Sequence, residues 1–171
     1  MLKVLMVCMA NVCRSPIACV VAQSLAQQQH PLKPWPLRLW SPGGPHFRSA
    51  GVMAGLAGER TDARAQQVLV RRGYAQSKAR SRRIKPQDFS HFDLILAMDK
   101  SVLSDLQRLC PAEHQGKLRL FLDLVPDLAG QDVPDPYYGN MQGFEQVLEL
   151  CERGAKALLN TLPRRASDAQ A

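Results

Sequence analysis

The sequence predicts an α/β fold, a doubly wound four-stranded parallel sheet with helices on both faces. Three observations lead there. Short, nearly continuous apolar runs at residues 2–7, 92–98 and 118–125 have the composition of strands buried on both faces, as in parallel sheets. Segments with apolar residues at helical spacing alternate with them, and right-handed crossovers then leave few topologies. The 171 residues suit one domain, long enough to bury a hydrophobic core.

The first strand is Leu2 to Val7. After a tight loop, Ser15 reads as a helix N-cap and Pro16 as the first helical residue, with Ile17, Val20, Val21 and Leu25 at helical spacing behind them. Residues 31–45 form a proline- and glycine-rich insertion; either a short edge strand near Leu37 to Trp40 or "HFRSAG" just beyond it supplies the second strand. From Thr61 the pattern is helical on Ala65, Val68 and Leu69, with Gly73 as the stop. "FDLILAM" (Phe92 to Met98) is a strand, Ser101 to Cys110 a helix closed by Pro111, and Leu118 to Val125 the last strand. Gly143 to Leu162 is an amphipathic helix on Phe144, Val147, Leu148, Cys151, Ala155 and Leu158. A single domain is thus expected over 1–162, with 163–171 a frayed tail too poor in apolar residues to pack.

Lys and Arg outnumber Asp and Glu by 22 to 15, a net charge of +7, which favours an anionic partner. Five sparse cysteines and the absence of a signal peptide before Lys3 argue against a secreted disulfide framework and make the cytoplasm the expected location. No stretch approaches the roughly 20 apolar residues of a membrane helix. The four histidines lack ligand spacing, so no metal is expected. The run from Arg71 to Lys85 carries seven basic residues and no acid: a solvated face, or a dock for an acidic partner.

The chemistry concentrates in "VCMANVCRSP", Val7 to Pro16. A loop of successive N–H groups running into a helix N-terminus cradles anions, because its amides are unpaired and the helix dipole is positive there. The same field favours a thiolate on Cys8, with a pKa below the free value of roughly 8.5. Arg14 supplies a fork for two phosphoryl oxygens while Met9, Ala10, Asn11, Val12 and Cys13 provide the cradle, and Ser15 can donate to the Cys8 sulfur. "VPDPYYGN" places Asp135 in a loop after the last strand, on the same sheet edge. Asp-Pro by itself is ordinary turn chemistry.

The two motifs, read together, resemble the low-molecular-weight protein tyrosine phosphatases, and the likeness continues through "RSAG", "GERTDARA", "FDLILAMD" and "GFEQVLELCE". The resemblance implies a flavodoxin-like fold, no metal or cofactor, a phosphocysteine intermediate on Cys8, Arg14 holding phosphate, and Asp135 as general acid and then base. It implies Tyr137 and Tyr138 as a wall of the substrate crevice, Asn11 and Ser49 as braces of the loop, and Asp99 as a supporting residue. It also implies Cys13 as a resolving thiol; a small apolar filler is the other reading. Cys19, Cys110 and Cys151 read as core. The substrate class is a phosphotyrosine protein, and family habit suggests an autophosphorylated tyrosine kinase.

Three positions bear on this resemblance. Ala10 stands where the family has glycine, at a cost of roughly 1 kcal/mol if that residue needs a positive φ. Counting from Ser49 puts Gly55 where an aromatic lines the crevice, which leaves Trp35 or Trp40 as replacements; counting from Ser41 instead puts Phe47 there. Val12 resembles the tyrosine-directed members, whereas arginine phosphatases of the family carry Thr. A thioredoxin-coupled arsenate reductase would need two further cysteines between Ala79 and Lys100, where there are none. A phosphate-binding module without turnover has no use for both Cys8 and Asp135, and a nucleic-acid reader would show aromatics interleaved along the basic run.

Overall fold

The structure, a computed structural model, describes residues 2–29, 44–53 and 58–161. The expectations for the 31–45 insertion up to residue 43, including Trp35, Trp40 and the alternative strand at Leu37 to Trp40, lie outside the described residues, as do those for Gly55 and the tail.

Four parallel strands form one sheet: β1 (Lys3–Cys8), β2 (His46–Gly51), β3 (Leu94–Ala97) and β4 (Leu118–Leu120), in the order β2-β1-β3-β4. The second strand is therefore "HFRSAG". Among the described residues five α-helices accompany them: α1 (Arg14–Gln29), α2 (Ala63–Arg71), α3 (Pro86–His91), α4 (Lys100–Leu109) and α5 (Met141–Thr161). From β1 the chain moves to one side of the sheet for β2 and then crosses to the other for β3. The loop after β1 thus sits at the switch point, where sheets of this kind bind ligands.

β1 is central and its alternation divides two cores. Val4, Met6 and Cys8 face the side covered by α1 and α5, while Leu5 and Val7 face Phe89, Val102 and Leu106 of α3 and α4. Residues Val4 to Val7 are wholly inaccessible to solvent, and burial of side chains of that size stabilises by about 1.5–3 kcal/mol each.

Three elements differ from expectation. β4 stops at Leu120 rather than running to Val125, because β3 ends at Ala97 and the next lane position is taken by another segment: Val133 N–H donates to Met98 O at 2.8 Å. Phe121 and Leu122 turn instead into a 3-10 helix, Phe121–Leu124, and into the α1–α5 core. The short helix α3 is an addition to the expected elements; Pro86 at its start and Asp88, whose carboxylate accepts from Lys85 N at 2.8 Å, are ordinary start signals. Finally, α1 begins at Arg14, so Ser15 lies inside the helix and is not its N-cap.

Candidate active site

β1 delivers Cys8 to the sheet edge, and residues 9–13 turn back into α1. Asn11 has φ 60°, the sole non-glycine with positive φ among the described residues. Asparagine tolerates this left-handed conformation because its short side chain bonds locally. Its Nδ2 donates to Ser15 Oγ (2.9 Å), and its Oδ1 accepts from Arg82 N (3.0 Å). The turn aims the Asn11 N–H at Cys8 Sγ, 3.2 Å away. Ala10 is free of positive φ, so the strain expected from alanine there does not arise.

Ser15 Oγ lies 3.1 Å from Cys8 Sγ and 3.4 Å from Ala50 O. Because Asn11 already donates to it, Ser15 has a single proton for two acceptors. An ionised Cys8 accepts that proton; a protonated Cys8 donates to Ser15, which then turns to Ala50. The hydroxyl that sequence pattern assigns to a helix cap is thus shared between the sulfur and the Ala50 carbonyl.

Arg14 is buried and held from behind. Its Nη1 donates to Asp99 Oδ2 and to Val133 O (3.1 Å), and its Nη2 to Asp135 Oδ2 (3.0 Å). Burial opposes the charge of Arg14, but Cys8, Asp135 and Asp99 together outweigh it and raise its pKa. Asp99 does two jobs: Oδ2 braces Arg14 while Oδ1 caps α4 by accepting from Val102 N at 2.7 Å. The segment that displaces β4 carries Asp135 to this place. Asp135 is half exposed, and its Oδ1 accepts from Tyr137 N at 3.1 Å.

A cavity of about 220 Å³ is lined by Cys8, Arg14 and Asp135, by Met9, Ala10, Val12 and Cys13 of the loop, and by Tyr137 and Tyr138. Asn11 and Ser15 are buried behind it. The Cys13 thiol is pushed up to about 12, first by burial and then by Asp62, Cys8 and Asp135, so it stays protonated at neutral pH. Cys151, fully buried in α5, is likewise pushed up by burial. Cys110 is buried at the end of α4, and Cys19 is half-buried on α1. Ser49 is buried in β2, and among the described residues its hydroxyl makes no hydrogen bond to the loop. The bonds that do brace Asn11 and Ser15 come from Arg82 N and Ala50 O.

Two further residues shape the site. Gly51 ends β2 directly under the loop: a Cβ there would lie 2.6 Å from Met9 O. Arg64 joins α2 to the Asp135 loop. Asp62 holds its guanidinium through both carboxylate oxygens (3.1 and 2.9 Å), and Arg64 donates to Tyr137 O (2.9 Å) and Gly139 O (3.0 Å), with its Cζ 4.6 Å from the Phe144 ring centroid. Asp62 N–H in turn donates to Val12 O at 2.8 Å. "RTDAR" offers a sign of this, an Asp two residues before an Arg at a helix start; nothing local says which loop the Arg reaches.

Fold and site together describe an α/β domain whose switch-point loop presents a sulfur, a buried guanidinium and a carboxylate to one oxyanion-sized cavity. Residues 3–168 match the family model for low molecular weight phosphotyrosine protein phosphatase. Among similar proteins, the low molecular weight protein-tyrosine-phosphatase of Streptomyces coelicolor is 37% identical over 92% of this chain and 91% of its own length. The human low molecular weight phosphotyrosine protein phosphatase is 36% identical over 92% and 93%. A crystal structure of a protein tyrosine phosphatase from Entamoeba histolytica, with Hepes in the active site, superposes over 100% of both chains with a TM-score of 0.82 and 30% identity. The chain belongs to the low molecular weight phosphotyrosine protein phosphatase family, a family of protein-tyrosine-phosphatases.

Proposed function

We propose that the protein hydrolyses phosphotyrosine in proteins through a phosphocysteine intermediate on Cys8. The observation that carries this reading is the convergence of Cys8, the Arg14 fork and Asp135 on one cavity. The Cys8 sulfur attacks phosphorus in line while loop amides and Arg14 hold the phosphoryl oxygens, where charge is spread in the transition state. The P–O bond to tyrosine breaks, and Asp135 supplies the proton that the phenolic oxygen takes. In the second step Asp135 accepts a proton from water, the water oxygen bonds to phosphorus, and the P–S bond breaks with the Ser15 hydroxyl donating to the departing sulfur. Binding of phosphate to Arg14 exchanges the guanidinium's partner at Nη2, which frees the Asp135 carboxyl to face the leaving oxygen.

Val12, the family relationship and the tyrosines at the cavity support phosphotyrosine over phosphoarginine. The cytoplasm and an autophosphorylated tyrosine kinase complete the proposal, the latter on family habit. Among the described residues no helix is long and apolar enough to cross a membrane, and no group of three His, Cys, Asp or Glu is placed to hold a metal.

The test is hydrolysis of p-nitrophenyl phosphate and of phosphotyrosine and phosphoarginine peptides by wild type, Cys8→Ser and Asp135→Ala. Near-complete loss is expected for the first variant, and for the second a loss of on the order of a hundredfold on tyrosine esters, smaller on the better leaving group. Unchanged turnover in Cys8→Ser rules the mechanism out.

A further inference from the structure

The basic run from Arg71 to Lys85 has no part in the mechanism above, yet the fold brings part of it beside the loop. Arg82 is stitched in place by its N–H to Asn11 Oδ1 (3.0 Å) and by Gly51 N–H to its own carbonyl (2.9 Å). Two residues upstream, Arg80 pairs with Arg60 in an isolated antiparallel bridge. Two residues beyond Arg60, Asp62 is bonded to Val12 O. Two extended residues span about 7 Å, so both sides of this bridge leave the loop's back as neighbours.

Beside the bridge lies a cavity of about 260 Å³ lined by Arg60, Lys78 and Arg80 together with Gln66 and Ser77. Its wall is fixed. Buried Ser77 accepts from Thr61 Oγ1 at 2.9 Å, and its backbone N–H and C=O are both held by the Gln66 amide at 2.8 Å. Arg80 Nη1 is tied to Gly58 O at 3.2 Å. Among the described residues no carboxylate forms an ion pair with Arg60, Lys78 or Arg80, whereas Arg64 and Arg82 each have one and Arg72 has two. Three cations without counter-charge around a polar cavity favour an oxyanion.

We propose that this cavity is a second oxyanion site, which takes a phosphate or carboxylate carried by the same polypeptide whose phosphotyrosine occupies the Cys8 cavity. The inference rests on the phosphatase reading and adds a preference to it. Substrate chains with an acidic or phosphorylated side chain a few residues along from the scissile tyrosine engage both cavities.

Binding of fluorescent phosphotyrosine peptides to Cys8→Ser protein tests it without turnover, comparing neutral flanks with Glu-rich flanks and with a flanking phosphoserine. The charged peptides are expected to bind about tenfold more tightly at low salt, as two or three exposed ion pairs allow, with the advantage shrinking as salt rises. Adding Arg60→Gln and Lys78→Gln, both exposed positions, should erase the advantage and leave the neutral peptide unchanged. In the active enzyme the same pair should raise KM for charged peptides alone and leave p-nitrophenyl phosphate hydrolysis as it was. Equal affinity for neutral and charged peptides, or a preference that survives the double substitution, overturns the proposal. So does displacement of the charged peptide by free phosphoserine at comparable concentration, which marks a site for a small free anion. Failure of wild type to hydrolyse any phosphotyrosine peptide overturns the phosphatase reading; loss of the flank preference with hydrolysis intact overturns this inference alone.

Discussion

Gly51→Ala tests how rigidly the end of β2 sets the loop above it. The added Cβ lies 2.6 Å from Met9 O and 3.0 Å from both Ala10 C and Asn11 N, against an ordinary contact distance of 3.4 Å and above. β2 cannot retreat, because Gly51 N–H and C=O are bonded to Arg82 O and Ile84 N at 2.9 Å, and Val52 and Met53 donate to Cys8 O and Met9 O. The loop must therefore rise by roughly 0.8 Å, the difference between 3.4 and 2.6 Å. A lift of that size carries Asn11 N–H from 3.2 Å to about 4 Å from Cys8 Sγ. A hydrogen bond to a charged acceptor is worth about 1.5–3 kcal/mol, so kcat/KM should fall about 10- to 100-fold. Overpacking adds about 1–3 kcal/mol of destabilisation, a Tm drop of roughly 5 °C. Steady-state kinetics on a phosphotyrosine peptide, with calorimetry on the same sample, measures both. A folded variant whose kcat/KM stays within about twofold of wild type would show that the loop is not seated as described.

Arg64→Met keeps the stem but loses both carbonyl contacts and the charge over Phe144, so the Asp135 loop should loosen. The expected result is a fall of about tenfold in kcat/KM on phosphotyrosine peptides, larger than on p-nitrophenyl phosphate, where proton donation matters less; equal losses on both would contradict it. Stability should be level from neutral pH to about 8 and fall above it, because the fold holds the protons of Cys13 and Tyr74 (both pushed up to about 12) that the unfolded chain releases near 9 and 10. Urea midpoints should show a shallower alkaline loss in Cys13→Ala; superimposable slopes would mean that burial of that thiol is not acting. Peroxide should inactivate wild type reversibly, Cys8 sulfenic acid condensing with the Cys13 thiol to a disulfide and water, with dithiothreitol restoring activity. Cys13→Ser should lose activity that the reductant does not restore, and equal recovery in both proteins would dismiss the resolving role.

Several features were legible along the chain because their causes are local. The aliphatic runs mark β1 and β3, since a strand buried on both faces has few polar positions to spare. The interval from Cys8 to Arg14 announced a loop feeding a helix, and its amides are contiguous in sequence. Less was legible where one residue has two uses. Ser15 has the pattern of a cap, but its proton is contested by a sulfur seven residues back and a carbonyl 35 residues on. β4 is shorter than its run of Leu and Phe suggests, because that run says that the chain is buried there, not which lane of the sheet remains open.

Backbone conformation and burial preference are encoded within a few residues, and from them follow the strands, the anion cradle and the residue types able to do phosphoryl chemistry. The encounters came from elsewhere: Arg14 with Asp135 across 121 positions and with Asp99 across 85, Arg64 with the tyrosine loop, and three arginine and lysine side chains around a second cavity. A charged side chain reads the same in sequence whether it meets solvent or a partner, and only close packing of distant segments in three dimensions removes the water that would otherwise screen them apart.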